Sequence, residues 1–539
     1  MWPLREVDEA GVVCLAAETG AGRVLARLLW LRGVRTADEA RRWLSPAVEH
    51  LHPAELLPDY ATARDRLLTA IRNREPVLVW GHDDLDGITG VAVLVRVLDG
   101  LRARTGVHIP ARGAEKHGLA LDRALDFARQ GFRLIVTVDC GITNGPEVAA
   151  LAEHGVDVIV TDHHEQSGDL PPAVACVDPK RPGSSYPYRG LAGVGVALKL
   201  MMGICRDVVG LSPAEFLSAE SDLVALAVLG TVADRVPLTG ENRTLVSLGL
   251  PALERCRLPA VRALLGRLGY AGRLTPFKMV PRLLPLFAAA EGNEGVRRLL
   301  DPDPAGAERW ADELEARAEE WRAEAERSAE IAEREAVVGD GVVLVRSREL
   351  SLRALGFCAA RLKQRYNLPV LVMGWRGDAW VGECRGVEGM NLVELLGAGR
   401  ELLLDYGGHK LAGGFTVRDE LAGEFSRRVE EYAHRYLAQG LRPEPGLEAD
   451  VELALGEFDR ELCRLAPFGE GNRPPVLVSE PCRVAETPRG WVPENRPDLA
   501  LVPARRGMVP HSGRMRLLYS CDDEANLAVL DSRPVAGDA

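Results

Sequence analysis

Short apolar runs alternate with polar loops and helical stretches through the first half of the chain. Residues 77–80 (VLVW), 134–138 (LIVTV) and 156–160 (VDVIV) have the length and β-branched content of buried strands. Residues 81–90 read as a polar loop, residues 91–101 as an amphipathic helix and residues 146–154 as a second helix. This alternation predicts an α/β fold with a parallel sheet flanked by helices. Residues 1–70 read as a leader of short helices, clearest in ETGAGRVLARLLWLRG and TADEARRWL. Residues 304–335 have no Gly beyond Gly306 and no Pro beyond Pro304, which predicts one long helix. Its charge-rich faces fit a solvated connector, with coiled-coil pairing the weaker alternative. A new strand-rich unit begins near 337–345 and runs to about 437. From about 447, short alternating runs between turn residues predict a small β-domain, entered through QGLRPEPG.

A chain of 539 residues exceeds one compact core and favours several domains. No apolar run is long enough to span a bilayer, and MWPLREVDEAG lacks the basic-then-apolar pattern of a secretory signal. The ten cysteines are scattered without a CxxC pair. That argues against both a disulfide framework and a zinc ribbon, and fits a cytoplasmic location with no membrane partner. The net charge of −12 argues against broad duplex binding. It is compatible with acids that hold divalent cations, and with a local basic groove inside an acidic exterior.

The candidate chemistry sits where predicted strands and helices end. In GHDDLDG, His82, Asp84 and Asp86 alternate and share one side if the chain stays extended. Crowded carboxylates of this kind are costly without a cation. TVDCG places Asp139 at a strand end, and TDHHE places Asp162, His163 and His164 at another. Asp234 follows the apolar stretch ALAVLGTVA, where a carboxylate needs a partner or a metal. Each segment alone is explained by a turn or a helix cap. Together they deliver mixed oxygen and nitrogen donors suited to Mn²⁺ or Mg²⁺ rather than structural zinc.

With these residues in view, the chain resembles the DHH phosphoesterase superfamily, named for the triplet at Asp162, His163 and His164, and within it the RecJ family of single-strand-specific 5′ exonucleases. GHDDLDG resembles GDYDADG with His82 in place of the first Asp, and TVDCGI resembles TVDNGI with Cys140 in place of Asn. DPKRPGSSYPYRGLAGVGVALKL, DLVALAVLGTVADRVPLTGENR, GGHKLAGGFTV and RLAPFGEGN match as well. Two segments depart from the family. PRLLPLF keeps Arg282 but not the Asn-Ala-Ala-Gly-Arg expected after PRL, and ECRG keeps Arg385 but has Glu383 where the family has Ser.

The resemblance implies a helical leader (1–70), a DHH catalytic core (71–260), a connecting region with a long helix (261–335), an α/β DHH-associated domain (336–440), and an OB-like β-domain with a tail (441–539). It implies two divalent cations, one held by His82, Asp84 and Asp139, the other by Asp86, Asp139, His163 and Asp234. His164 is implied to face the phosphate, and Arg112, Arg282, Arg385 and His409 to contact the strand. The implied activity is 5′-to-3′ exonuclease action on single-stranded DNA by a monomer in repair and recombination, with a single-strand-binding protein or a helicase as partner. The alternatives are a DHH phosphodiesterase for short oligonucleotides or cyclic dinucleotides, and a non-catalytic DHH subunit of a replication or repair assembly. For base stacking in the β-domain, Phe468 and Trp491 are the candidates.

Overall fold

The computed structural model describes residues 2–111, 118–166, 168–269, 273–290, 292–387, 390–438, 447–504, 508–510 and 513–535. It divides into two compact units, Met1–Leu314 with Glu448–Ala539, and Glu315–Leu447.

The first unit is built on a five-stranded sheet of β1 (Pro76–Gly81), β2 (Arg104–His108), β3 (Leu134–Val138), β4 (Asp157–Thr161) and β5 (Ala175–Val177). All neighbours are parallel and the order is β2-β1-β3-β4-β5. The apolar runs located β1, β3 and β4. The other two strands lacked that signal, because β2 (RTGVH) is a part-polar edge and β5 is only three residues. One face, with Leu78, Trp80, Ile135 and Val158, packs against Ala124, Val148 and Leu151 of the helices Leu121–Arg129 and Gly145–Glu153. The helices Leu85–Gly100, Gly193–Val209 and Ser221–Ala233 bury nearly every residue and belong to the same unit.

Residues 81–90 do not form a loop. The helix starts at Leu85, because the Asp84 side chain caps it by accepting from the Gly87 N–H at 3.0 Å. Nor is this helix amphipathic: from Leu85 to Leu98 only Arg96 is not buried. Gly87 is required at this turn, since a Cβ there would stand 2.4 Å from the His82 carbonyl oxygen.

The leader and the C-terminal segment, separate in the sequence pattern, share one core. Leu15, Leu25, Leu28, Leu29 and Trp43 pack with Phe468, Leu477, Trp491, Leu517, Tyr519 and Val529. Each such side chain contributes about 1.5–3 kcal/mol when fully buried. The C-terminal side of this core is a seven-stranded mixed sheet of β12 (Val451–Glu452), β13 (Val476–Val478), β14 (Val484–Thr487), β15 (Gly490–Pro493), β16 (Leu501–Pro503), β17 (Met515–Cys521) and β18 (Leu527–Pro534). Its order is β12-β13-β17-β18-β16-β15-β14, and it is the expected β-domain. The proposed entry segment, residues 439–446, lies outside the described residues.

The second unit carries a six-stranded sheet of β6 (Val337–Val338), β7 (Val343–Ser347), β8 (Val370–Trp375), β9 (Ala379–Arg385), β10 (Leu403–His409) and β11 (Ala412–Arg418), ordered β10-β11-β9-β8-β7-β6. Leu355, Cys358 and Leu362 of the helix Leu355–Tyr366 pack with Val343, Val345 and Val372. Phe425 and Val429 of the helix Asp419–Ala438 pack with Leu371, Met373 and Val417. The long helix Pro304–Glu335 has the predicted bounds but is not simply solvated. Trp310, Ala311, Leu314 and Ala318 are buried, as are Ala325, Ala329 and Ala332. These 3- and 4-residue spacings make one apolar stripe. Among the described residues no single helix is long and apolar enough to cross a membrane.

Candidate metal centre

In an open parallel sheet, the crevice at the strand C-termini opens where chain connections diverge, and here that point lies between β1 and β3. The turn after β1 delivers His82 and Asp84, the first turn of the helix Leu85–Gly100 delivers Asp86, the end of β3 delivers Asp139, and the end of β4 delivers Asp162, His163 and His164. The helix Ser221–Ala233 delivers Asp234 as its C-cap.

These side chains converge. His82 Nδ1 lies 3.1 Å from Asp84 Oδ2 and 3.7 Å from Asp139 Oδ2. His163 Nε2 lies 3.0 Å from Asp139 Oδ1, 3.6 Å from Asp234 Oδ2 and 3.9 Å from Asp86 Oδ2. Donor atoms of His82, Asp84 and Asp139 fall within 4.8 Å of one another, and so do those of Asp86, His163 and Asp234. A third set is Asp139, His163 and His164, so Asp139 is common to two of the three.

The surrounding backbone orients these groups. Asp86 Oδ2 accepts from the Gly193 N–H at 2.7 Å and Oδ1 from the Val194 N–H at 2.8 Å, at the start of the helix Gly193–Val209. Those amides carry the positive end of the helix dipole. Asp139 adopts a left-handed backbone, φ 60°, while its N–H still bonds the Thr161 carbonyl. Gly193 lies against it, and a Cβ at Gly193 would stand 2.6 Å from Asp139 Cβ. Asp162 Oδ1 accepts from the His163 and His164 N–H groups and meets His164 Nδ1 at 2.8 Å. Its Oδ2 accepts from the Ile142 N–H.

The electrostatics record a shortage of positive charge. Burial, then the charges of Asp234 and Asp84, push the Asp86 carboxyl well above the usual range. Burial, then Asp86 and Asp84, do the same to Asp139. Burial, then Asp84, raises Asp234 to about 7. Burial, then the neighbouring His164, lowers the His163 ring to about 3. Burial would raise Asp84 as well, but the His82 ring and the Gly87 N–H hold it below its ordinary value. The Asp162 hydrogen bond lifts His164 to about 9. Asp139 Oδ1, Asp234 Oδ2 and both ring nitrogens of His163 are buried without a hydrogen-bond partner. Unpaired buried polar atoms are expensive, and divalent cations would satisfy Asp139 Oδ1, Asp234 Oδ2 and His163 Nε2 together. The donor set therefore fits metal.

The predicted strand-contact residues come from other segments of the chain. Arg112 lies outside the described residues. Arg282 is exposed on the π-helical turn Met279–Leu283. Arg385 ends β9 in the second unit, where its Nη1 pairs with Glu383 Oε2 at 3.0 Å. His409 ends β10 opposite Ala412, and its side chain lies outside the described residues. Phe468 and Trp491 are both 0% exposed, so neither offers a stacking face. No local sequence pattern assigns a role to Asp162 or to the Gly193 and Val194 amides, which orient the cluster. The small-residue turn GVGV opening a helix is the trace of those amides, and the DHH triplet is that of Asp162.

This parallel sheet with a carboxylate and histidine crevice is the DHH class of fold: the model of the DHH family, N-terminal domain, matches residues 76–231. The chain is 32% identical over 492 residues to the single-stranded-DNA-specific exonuclease RecJ of Bacillus subtilis, covering 88% of this chain and 61% of that protein. It is 31% identical over 484 residues to the RecJ of Dickeya dadantii, covering 84% of this chain and 83% of that one. The crystal structure of RecJ from Thermus thermophilus in complex with Mn²⁺ superposes with a TM-score of 0.83 at 27% identity, over 99% of this chain and 80% of that chain. The chain belongs to the RecJ family. It spans about three fifths of the length of the Bacillus relative.

Proposed function

We propose that this chain is a metal-dependent exonuclease that degrades single-stranded DNA in the 5′-to-3′ direction. One observation carries the reading: Asp86, Asp139, His163 and Asp234, from four separate segments, meet in one crevice, where Asp139, His163 and Asp234 keep buried polar atoms unpaired. Mn²⁺ or Mg²⁺ would be held by His82, Asp84 and Asp139 on one side, and by Asp86, Asp139, His163 and Asp234 on the other. When bound, such a pair neutralises the carboxylates, polarises the scissile phosphate and acidifies the attacking water.

The chain's own residues supply position. Asp86 is held by two backbone amides and cannot swing away. Asp162 fixes the orientation of His164. The His164 side chain is 46% exposed, so it is free to meet a phosphate oxygen. Arg112, Arg282, Arg385 and His409 are the proposed strand contacts outside the metal centre. The activity named for the relatives supports a single-stranded DNA substrate, and the ten unbridged cysteines support a reducing cytoplasm. A single-strand-binding protein or a helicase is the proposed protein partner of a monomer.

A nuclease assay on strands labelled at the 5′ or 3′ end, with Mn²⁺, tests this. The 5′ label is expected to leave first, and Asp139→Ala to abolish cleavage with the fold retained. Unchanged turnover in Asp139→Ala would sink the reading. Faster cleavage of a dinucleotide than of a long strand would favour the small-substrate alternative. Metal binding without any cleavage would favour a binding subunit.

A further inference from the structure

β9 ends in an ion pair made from alternate strand positions. Glu383 Oε2 lies 3.0 Å from Arg385 Nη1, and the same Nη1 donates to the Cys384 carbonyl at 2.8 Å. Residues two apart on a strand share a face, so both side chains rise from the same side of the sheet. Cys384, between them, points to the other side and is fully buried in a hydrophobic cluster with Leu395 and Leu396. The guanidinium lies across Gly356, in the first turn of the helix Leu355–Tyr366. A Cβ at Gly356 would stand 2.8 Å from Arg385 Nη2, so the glycine leaves room for this arrangement.

Beside the pair, the sheet is almost bare. In register, Gly414 of β11 lies opposite Glu383 and Ala412 opposite Arg385. Beyond them, Gly407 of β10 lies opposite Gly414 and His409 opposite Ala412. A Cβ added at Gly407 would meet nothing within 4 Å, and one at Gly414 would come no closer than 3.5 Å to any atom. Among the described residues, nothing fills the space over these two glycines. Glycines inside strands mark places where another chain can approach the backbone closely.

We propose that Glu383 is an internal competitor for Arg385: it occupies the guanidinium that would otherwise take a phosphate of an extended strand lying on the bare β10–β11 patch, and so sets how tightly the chain holds its substrate. This rests on the exonuclease reading and goes beyond it. The Glu383 side chain is 41% exposed and that of Arg385 is 31% exposed, so the pair is open to solvent. Such pairs are weak and open readily. A guanidinium prefers an oxyanion it can grip with two parallel N–H groups, as a phosphate allows. An arriving phosphate must displace the carboxylate and then sit beside its negative charge. Both effects lower affinity and remove one effective phosphate contact.

The test measures binding of a 5′-phosphorylated single strand by fluorescence anisotropy in Mn²⁺, with 5′-terminal phosphorothioate linkages to block cutting. Wild type, Glu383→Gln, Arg385→Ala and the double variant are compared across a salt series. Glu383→Gln is expected to bind about 3- to 10-fold more tightly at low salt. Its slope of log affinity against log salt should steepen by about 0.7, the increment for one more phosphate contact on a single strand. Both gains should vanish when Arg385 is also replaced. Equal or weaker binding by Glu383→Gln, beside a wild type that binds and cuts, overturns the competitor role alone. A gain that survives in Arg385→Ala also overturns it, since only net charge would then matter. Absence of strand binding and cutting by wild type overturns the exonuclease reading, and this inference with it.

Discussion

Arg243 and Trp43 are joined twice: the guanidinium carbon lies 4.8 Å from the indole ring centroid, and Nε donates to the Trp43 carbonyl at 2.9 Å. The remaining donors reach the carbonyls of Leu465, Arg464 and Ala466. One buried side chain thus ties the leader, the helix Gly240–Glu254 and the loop before β13. Arg243→Met would leave four carbonyls without this donor. It is expected to cost about 3–5 kcal/mol, read by urea unfolding, with Mn²⁺ affinity of the folded protein unchanged. A loss below about 1 kcal/mol would show that water replaces the guanidinium at little cost.

Charge crowding in the crevice makes metal-free stability and function pull in opposite directions. Asp139 is buried beside Asp86 and Asp84, which raises its carboxyl far above normal. Asp139→Asn is expected to be more stable than wild type in EDTA by roughly 1–3 kcal/mol. In saturating Mn²⁺ the order should reverse, because only the wild type gains full ligand stabilisation. Melting curves with and without metal check this. A wild type that melts higher in both conditions counts against the crowding.

Gly193 has no room for a side chain against Asp139. Gly193→Ala is expected to displace the carboxylate and weaken Mn²⁺ binding by about 10- to 100-fold, as loss of a supporting contact does elsewhere. Calorimetric titration measures it, alongside a circular dichroism spectrum that should not change. Wild-type affinity in this variant would mean that the helix start yields instead.

Asp523 predicts a pH dependence remote from the metal centre. Burial pushes its carboxyl up to about 7, against the Phe468 N–H, which approaches both oxygens at 3.4 Å. The unfolded value is near 3.9, so between the two the folded state binds more protons. The contribution is complete below about pH 4 and is lost as pH rises to about 7. Asp523→Asn should therefore be more stable than wild type at pH 8, with the gap shrinking toward pH 4. A gap independent of pH would show that Asp523 does not titrate in this window.

What was legible in the sequence had a local signature. β1, β3 and β4 announced themselves as apolar runs, and Asp139, His163 and Asp234 stood out as polar residues at their ends or after an apolar helix. The grouping of His82, Asp84 and Asp86 was anticipated, but by another geometry. An extended strand would have put them on one side. Instead Asp84 caps a helix and Asp86 turns inward to the Gly193 and Val194 amides. Those partners lie more than a hundred residues away, beyond the reach of any local pattern. The same holds for the shared core of leader and β-domain, which also hid Phe468 and Trp491. Aromatic residues in a short β-rich segment look alike whether they face solvent or a distant helix.

That shared core orders events during synthesis. Leu25, Leu28 and Leu29 leave the ribosome nearly five hundred residues ahead of Leu517, Tyr519 and Val529, which cover them. Until then the nascent chain displays an uncovered greasy surface. A core closed this late leaves apolar side chains open to association while synthesis continues.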